Sequence, residues 1–332
     1  MEEAVAAPRR RRRGGGGASG EQPMVPDATF TSYYGRPVVK ASPWKHDIPA
    51  YLFLGGLGAG SALLAAGADL TGRRELRRVM RVGALAGATA GTVALIRDLG
   101  KPSRFLNMLR VAKPTSPMSV GTWVLVAFGS TAGIAATAEL MAPLPHPVRT
   151  LARPITFVAR PAGLAAALLA PMLASYTGVL LADTATPAWH AAHRELPFVF
   201  AGSAAMAAGG LGMMGTSIAE AGPARRLAVS GVLFELAAER RMEGSMGISV
   251  ETLHTGRAGV LMNTSRALAT GGLFGAIAFG RRSRAASLLS GGALMAASAL
   301  SRFGIFEAGQ QSARDPRYTV APQRERLEQR AP

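Results

Sequence analysis

Residues 49–68 read PAYLFLGGLGAGSALLAAGA, twenty consecutive positions without an Asp, Glu, Lys or Arg. About 20 helical residues cross the roughly 30 Å hydrocarbon layer of a bilayer. A continuously apolar run also lacks the alternation of a barrel strand, and in lipid a helix satisfies its own backbone hydrogen bonds. The stretch therefore predicts a membrane-spanning helix. Moving outward, residues 82–96, 114–138, 161–182 and 196–219 are equally free of charge. Residues 285–301 form a slightly short sixth window, 258–280 a seventh interrupted only by Arg266, and 227–238 an eighth carrying Glu235. The expected fold class is an all-α integral membrane protein with eight transmembrane helices.

Composition agrees with this reading. Only 17% of the 332 residues are charged, against about 25% in soluble proteins. The net charge is +17, but aromatics are few and the arginines flank apolar runs, which favours lipid over nucleic acid. The chain has no cysteine. Disulfides, thiolate zinc sites, Cys-ligated iron–sulfur clusters and a catalytic thiol are thereby excluded from it. Glycines recur every fourth residue at Gly83, Gly87 and Gly91, at Gly56 and Gly60, and at Gly271 and Gly275, a spacing that lets helix backbones approach closely.

Ahead of the first span, residues 1–48 hold Arg9–Arg13, four glycines and a polar stretch with Pro23 and Pro26, the composition of a disordered tail. It does not read as a twin-arginine export signal, because glycines follow where an apolar core would begin. Residues 310–332 read as a polar tail. With eight spans both termini share one side, and the opposite side holds short loops with Arg73, Arg74, Arg77, Arg78 and Arg81, then Arg149, Arg153 and Arg160, Arg225 and Arg226, and Arg281, Arg282 and Arg284, almost without acids. Short Arg-rich loops stay cytoplasmic. Lys101, Arg104, Arg110 and Lys113 on the other face reduce the asymmetry, so the rule places the termini outside by a small margin.

Polar groups beside apolar spans are functional candidates. Lys45, His46 and Asp47 precede the first span; Arg97, Asp98, Lys101 and Arg104 follow the second; Tyr176 lies about two turns before the fourth ends. The topology brings all three groups to one membrane face. An acid, a histidine and a tyrosine beside a lipid-accessible pocket can hydrogen-bond quinone carbonyls and exchange protons with them, whereas the plainer alternative is a salt-bridged helix end. Farther along, Glu235 and Glu239 share a helix face and Arg266 lies within the seventh span. A buried acid–arginine pair and a proton path are the two readings there. His254 and Arg257 are expected at the mouth of that span, in water. His46, His146, His190, His193 and His254 all fall in loops or at span edges, which argues against transmembrane haem b. The i, i+3 pair His190 and His193 has no accompanying carboxylate or cysteine motif, so no metal site is expected.

The runs YLFLGGLGAGSALLAAGA, RDLGKPSRFLNMLRVAKPTSPMSVGTWVL, SYTGVLLADTATPAWHAAHRELPFVFAGSA and ETLHTGRAGVLMN resemble the NrfD-like membrane subunits of polysulfide reductase and related molybdopterin oxidoreductases. The second run is the most specific. The resemblance implies two four-helix bundles; the expected domains are residues 49–182, residues 183–303 and, from the end of the second bundle, a C-terminal tail over 304–332 that takes in the polar stretch. It implies a site for a quinone, menaquinone or ubiquinone, in the first bundle, with no haem or iron–sulfur cluster on this chain. Asp98 matches the family's quinone-site acid and Tyr176 its fourth-span tyrosine; His46 or Asp47 stands at the first-span entry, and Lys101 and Arg104 would stabilise an anionic quinol or orient Asp98. The implied partners are a ferredoxin-like 4Fe-4S subunit and a molybdopterin subunit carrying molybdenum or tungsten, in the bacterial plasma membrane. The competing reading is a secondary transporter or ion channel; the spans show no internal repeat, although Pro171 interrupts the fourth.

Overall fold

The computed structural model describes residues 37–143, 145 and 153–329. The Arg9–Arg13 run, His146 and Arg149 lie outside the described residues. Eight helices of twenty residues or more are present among those described: α1 (Asp47–Leu70), α2 (Arg74–Asp98), α3 (Pro117–Met141), α4 (Arg153–Ala182), α5 (Leu196–Gly215), α6 (Gly222–Ser245), α7 (Gly256–Ala278) and α8 (Arg284–Arg314). Six of them, α1 to α5 and α8, are long and apolar enough to cross a membrane, and the chain is a multi-pass membrane protein. The 24 residues of α6 and 23 of α7 are long enough. Between them they carry Arg225, Arg226, Glu235, Glu239, Arg240, Arg241, Glu243, Arg257 and Arg266, which lowers their apolar character.

Two sequence expectations need correction. Pro171 does not break α4, which runs through both Pro161 and Pro171. A proline removes one backbone donor, and packing within a membrane bundle tolerates that loss. Nor does the chain turn into a tail at residue 304: α8 continues to Arg314 and buries Ile305, Phe306, Ala308 and Ala313. Its polar residues there have partners, since Gln310 Nε2 donates to Ser42 O at 3.0 Å and Ser312 Oγ accepts from Ala188 N at 3.1 Å. A further helix, Arg317–Glu328, follows.

Helices α1 to α4 pack as successive neighbours, with α4 also returning to α1; α5 to α8 do the same, with α8 returning to α5. The two sets meet where α1 packs on α5 and α8, and α4 on α5. At the centre, α1 and α5 bury 78% and 72% of their apolar windows, while no other candidate span exceeds 50%. Glycine makes these crossings possible. A Cβ on Gly87 of α2 would stand 2.7 Å from Leu54 O and 2.8 Å from Gly58 N of α1. Similar clashes, at 2.5 to 2.6 Å, meet Gly60 against Ala204 O, Gly209 against Ala228 N and Gly210 against Gly291 O. Lipid tails are as apolar as leucine, so helix association in a bilayer depends on such close backbone packing. Gly271 departs from the expected pattern, with open space where its Cβ would be. The turn joining α1 to α2 uses Gly72 at φ +71°, a conformation that glycine adopts without steric cost.

The Arg-rich end is less free of acids than the loops alone suggested. Asp69 closes α1 and Glu139 nearly closes α3, with side chains only 9% and 8% exposed. Arg77 reaches Glu139 at 2.7 Å and Asp69 at 3.2 Å, Arg81 reaches Glu139 at 3.0 Å, and Arg160 reaches Asp69 at 3.3 Å. Four helices are thus tied by one charge network. The Asp69–Arg77 pair near the turn and the Gly58–Gly87 crossing deeper in make α1 and α2 antiparallel. The far ends of this pair are Asp47 and Asp98.

Thermal unfolding in one detergent tests the packing argument. Gly87→Ala is expected to lose about 1–3 kcal/mol through overpacking. Gly129→Ala, with nothing within 4 Å of its Cβ, is expected to be neutral or to gain up to about 1 kcal/mol from helix propensity. Equal shifts in the two variants would contradict the argument.

Candidate functional site

Asp98 is the last residue of α2, and the turn after it uses Gly100 at φ +69°. Its Oδ1 accepts a hydrogen bond from Lys45 N at 3.2 Å, which docks the segment preceding α1 onto the end of α2. Next to this contact Asp47 lies 3.9 Å from Arg97, a largely exposed pair of small energetic value. The His46 ring stacks on Phe303 of α8 with centroids 6.4 Å apart. Asp98, Lys45, His46 and Asp47 therefore do gather at one end of the helices, and Asp98 is half-buried there.

Tyr176 enters from α4 through a gap left by a glycine of α3. A Cβ on Gly121 would fall 1.7 Å from Tyr176 Cζ, so only glycine admits the ring. Tyr51 of α1 lies one turn beyond Asp47, toward the same end of the helices. It is 1% exposed, and a Cβ on Gly91 of α2 would lie 3.4 Å from its ring. Neither phenol hydroxyl is hydrogen-bonded to another described residue. Thus all four helices of the first set contribute: Asp47 and Tyr51 one turn apart on α1, Asp98 and Gly91 on α2, Gly121 on α3 and Tyr176 on α4.

Lys101 and Arg104 stand apart from this group. Both are exposed, in the turn and the short helix Arg104–Met108 that follow α2, and neither bonds Asp98. The Lys45 backbone, not these side chains, orients the acid. Beyond them a cleft of about 240 Å³ is lined by Asn107, Met108, Val111, Lys113, Ser119 and Thr122. Thr122 adjoins Gly121, so the cleft ends one residue from the Tyr176 notch.

Sequence reasoning missed Tyr51 and Gly121. A signal for Tyr51 existed, because it follows Asp47 by four residues and is one of only two tyrosines within the apolar windows. Gly121 carried no comparable signal, since its role depends on a ring from another helix. His190 and His193 stack with centroids 5.6 Å apart, and their Nδ1 atoms lie against the carbonyls of Ala182 and His190. Among the described residues no three His, Cys, Asp or Glu side chains converge on a common metal position. His254 and Arg257, expected at the mouth of α7, are exposed there, 43% and 68%, and each also faces an acid, Glu243 at 3.5 Å and Glu307 at 3.8 Å. Of the two acids proposed to face Arg266, Glu239 does so at 3.1 Å, whereas Glu235 turns to Ser301 of α8 at 2.9 Å.

No curated protein matches the chain. A family model described as polysulphide reductase, NrfD, matches residues 38–238, more than half of the chain. The match takes in α1 to α5, most of α6 and every residue of the site described above except Phe303. The chain belongs to the NrfD family of polysulphide reductase.

Proposed function

We propose that the chain is the quinone-reactive membrane subunit of an oxidoreductase complex, passing electrons between the quinone pool and an iron–sulfur partner. The observation that carries the reading is the convergence of a half-buried carboxylate, Asp98, and two phenols, Tyr51 and Tyr176, at one end of a set of four helices. Reducing a quinone to a quinol consumes two electrons and two protons, so its site needs donors for the carbonyl oxygens and a group that exchanges protons with water. The phenol hydroxyls are available as donors. Asp98 is close to the aqueous surface and exchanges protons there, while His46 and Asp47 flank the entry. Lys101 and Arg104, in the exposed turn, act on an arriving anionic headgroup by charge and not by holding Asp98.

The chain has no cysteine to hold a cluster. By the family resemblance, a ferredoxin-like 4Fe-4S subunit supplies or receives the electrons, and a molybdopterin subunit with molybdenum or tungsten acts on the final substrate. All eight long helices cross the bacterial plasma membrane as two four-helix bundles. The Arg-rich turns lie in the cytoplasm, and the Asp98 end, with the termini, faces outside.

Three outcomes are expected. The full chain, extracted in mild detergent, brings down iron, molybdenum or tungsten, and quinone; a metal-free and quinone-free chain from a preparation that preserves other membrane complexes would contradict the assignment. Asp98→Asn leaves the complex assembled but lowers quinone-coupled turnover by about a hundredfold or more. Lost assembly with turnover intact in what remains would remove Asp98 from this role. Gly121→Ala displaces the Tyr176 ring and lowers turnover by about a hundredfold, whereas Gly129→Ala on the same helix leaves it unchanged; equal rates in the two variants would exclude the Tyr176 notch from the site.

A further inference from the structure

The second set of helices holds a polar line that the quinone site does not use. Glu235, Glu239 and Glu243 stand one turn apart along one face of α6. Glu235 and Glu239 are 3% and 4% exposed. At the inner end Glu235 Oε1 accepts from Ser301 Oγ at 2.9 Å, while Oε2 is buried with no hydrogen-bond partner. The neighbouring Arg302 is fully buried. Its Nη2 donates to Phe200 O at 2.6 Å and its guanidinium lies 3.7 Å over the Phe200 ring, yet Nε and Nη1 have no partner. A Cβ on Gly56 of α1 would lie 3.2 Å from Arg302 Nη2, which puts this end where the two helix sets meet.

At the outer end the line reaches the protein surface. Arg266 of α7 bridges Glu239, at 3.1 Å, and Glu243. Glu243 in turn lies 3.5 Å from Nε2 of His254, which is 43% exposed. Beside these residues a groove of about 800 Å³ is lined by Glu239, Arg240, Glu243, Arg266 and Thr270 together with the apolar Leu233, Leu236 and Ala237. A purely structural ion pair would satisfy Glu235 and Arg302 against each other. Instead Glu235 Oε2 and Arg302 Nε and Nη1 are buried without a hydrogen-bond partner among the described residues, a costly state that buried water or a proton relieves.

We propose that Glu235 is a proton-binding site at the inner end of a half-channel that opens at His254. A proton from water passes by way of His254 and Glu243 to the Glu239 carboxylate, and from there through water to Glu235 Oε2. Release runs the same steps in reverse. No electron moves, and water is the only co-reactant. Arg266 holds Glu239 and Glu243 in line, and Arg302 compensates the charge when Glu235 is ionised. The groups facing Glu235 are Ser301 and Arg302 on α8, Glu239 on α6 and the Ser203 hydroxyl on α5, which also pairs with Ser298 Oγ at 2.8 Å, with Gly202 of α5 packed against its backbone.

Infrared difference spectroscopy of the full chain in lipid nanodiscs, on transfer from H2O to D2O, tests this without quinone or partner. A protonated carboxyl band that shifts on deuteration is expected in the wild type and is lost in Glu235→Gln. Glu239→Gln is expected to keep the band and slow its exchange by about a hundredfold, the low end for a positioned proton-transfer group. Absence of the band from the wild type, its survival in Glu235→Gln, or an unchanged exchange rate in Glu239→Gln would each overturn the proposal. If Glu235→Gln does not fold, the wild-type band and the Glu239→Gln rate decide alone. Failure here leaves the quinone site untouched, because none of its residues takes part.

Discussion

The crossing of α1 and α2 at Gly58 and Gly87 fixes the first helix set. A side chain at Gly87 would collide with the backbone of α1, so the two helices touch backbone to backbone. In a bilayer, apolar side chains alone give no reason for one helix to prefer another over lipid, and small residues must supply the fit. The antiparallel pairing that results sets Asp47 opposite Asp98. It also sets Asp69 opposite Arg77 at the other end. The contacts of Gly60 with Ala204 and of Gly210 with Gly291 extend the same device to α5 and α8, so one packing rule runs through both helix sets.

Charge is then placed where this packing permits. At the Arg-rich end Asp69 and Glu139 are enclosed among Arg77, Arg81 and Arg160, and removing one partner of such a network leaves an uncompensated buried charge. Other arginines at this end bind backbone: Arg284 donates to Met213 O at 2.9 Å and Arg225 to Gly280 O at 2.9 Å. Arg284 thereby satisfies a carbonyl in the last turn of α5, a group without an intrahelical partner, and Arg225 one in the turn just after α7. The opposite end is looser. Asp98 there has one backbone hydrogen bond, and among the described residues the two phenol hydroxyls have no hydrogen-bond partner.

Much of the fold could be read directly from the chain. Five charge-free windows fall on α1 to α5, because lipid imposes length and polarity limits that are local in sequence. The remaining three were harder for a physical reason. Arg266, Glu235 and Arg302 look prohibitive in isolation and become tolerable only through Glu239, Ser301 and Phe200 on neighbouring helices. The end of α8 was hidden similarly, since Gln310 and Ser312 suggest a tail until Ser42 and Ala188 are brought against them. At the candidate site, the placement of Asp98, Tyr176, His46 and Asp47 toward one end of the helices could be read from their nearness to span ends. Tyr51 and Gly121 depend on a contact between helices, which no single window contains, and the roles of Lys101 and Arg104 depended on a loop path that spacing does not determine.

The most direct test of the central claim is photo-crosslinking of the full complex with a quinone carrying a photoreactive headgroup, followed by peptide mapping. Labels confined to the Asp47–Tyr51, Gly91–Asp98, Gly121–Thr122 and Tyr176 regions, and competed away by unmodified quinone, are the predicted result. Competable labels found only on α6 to α8, or none on this chain while a partner subunit is labelled, would contradict it.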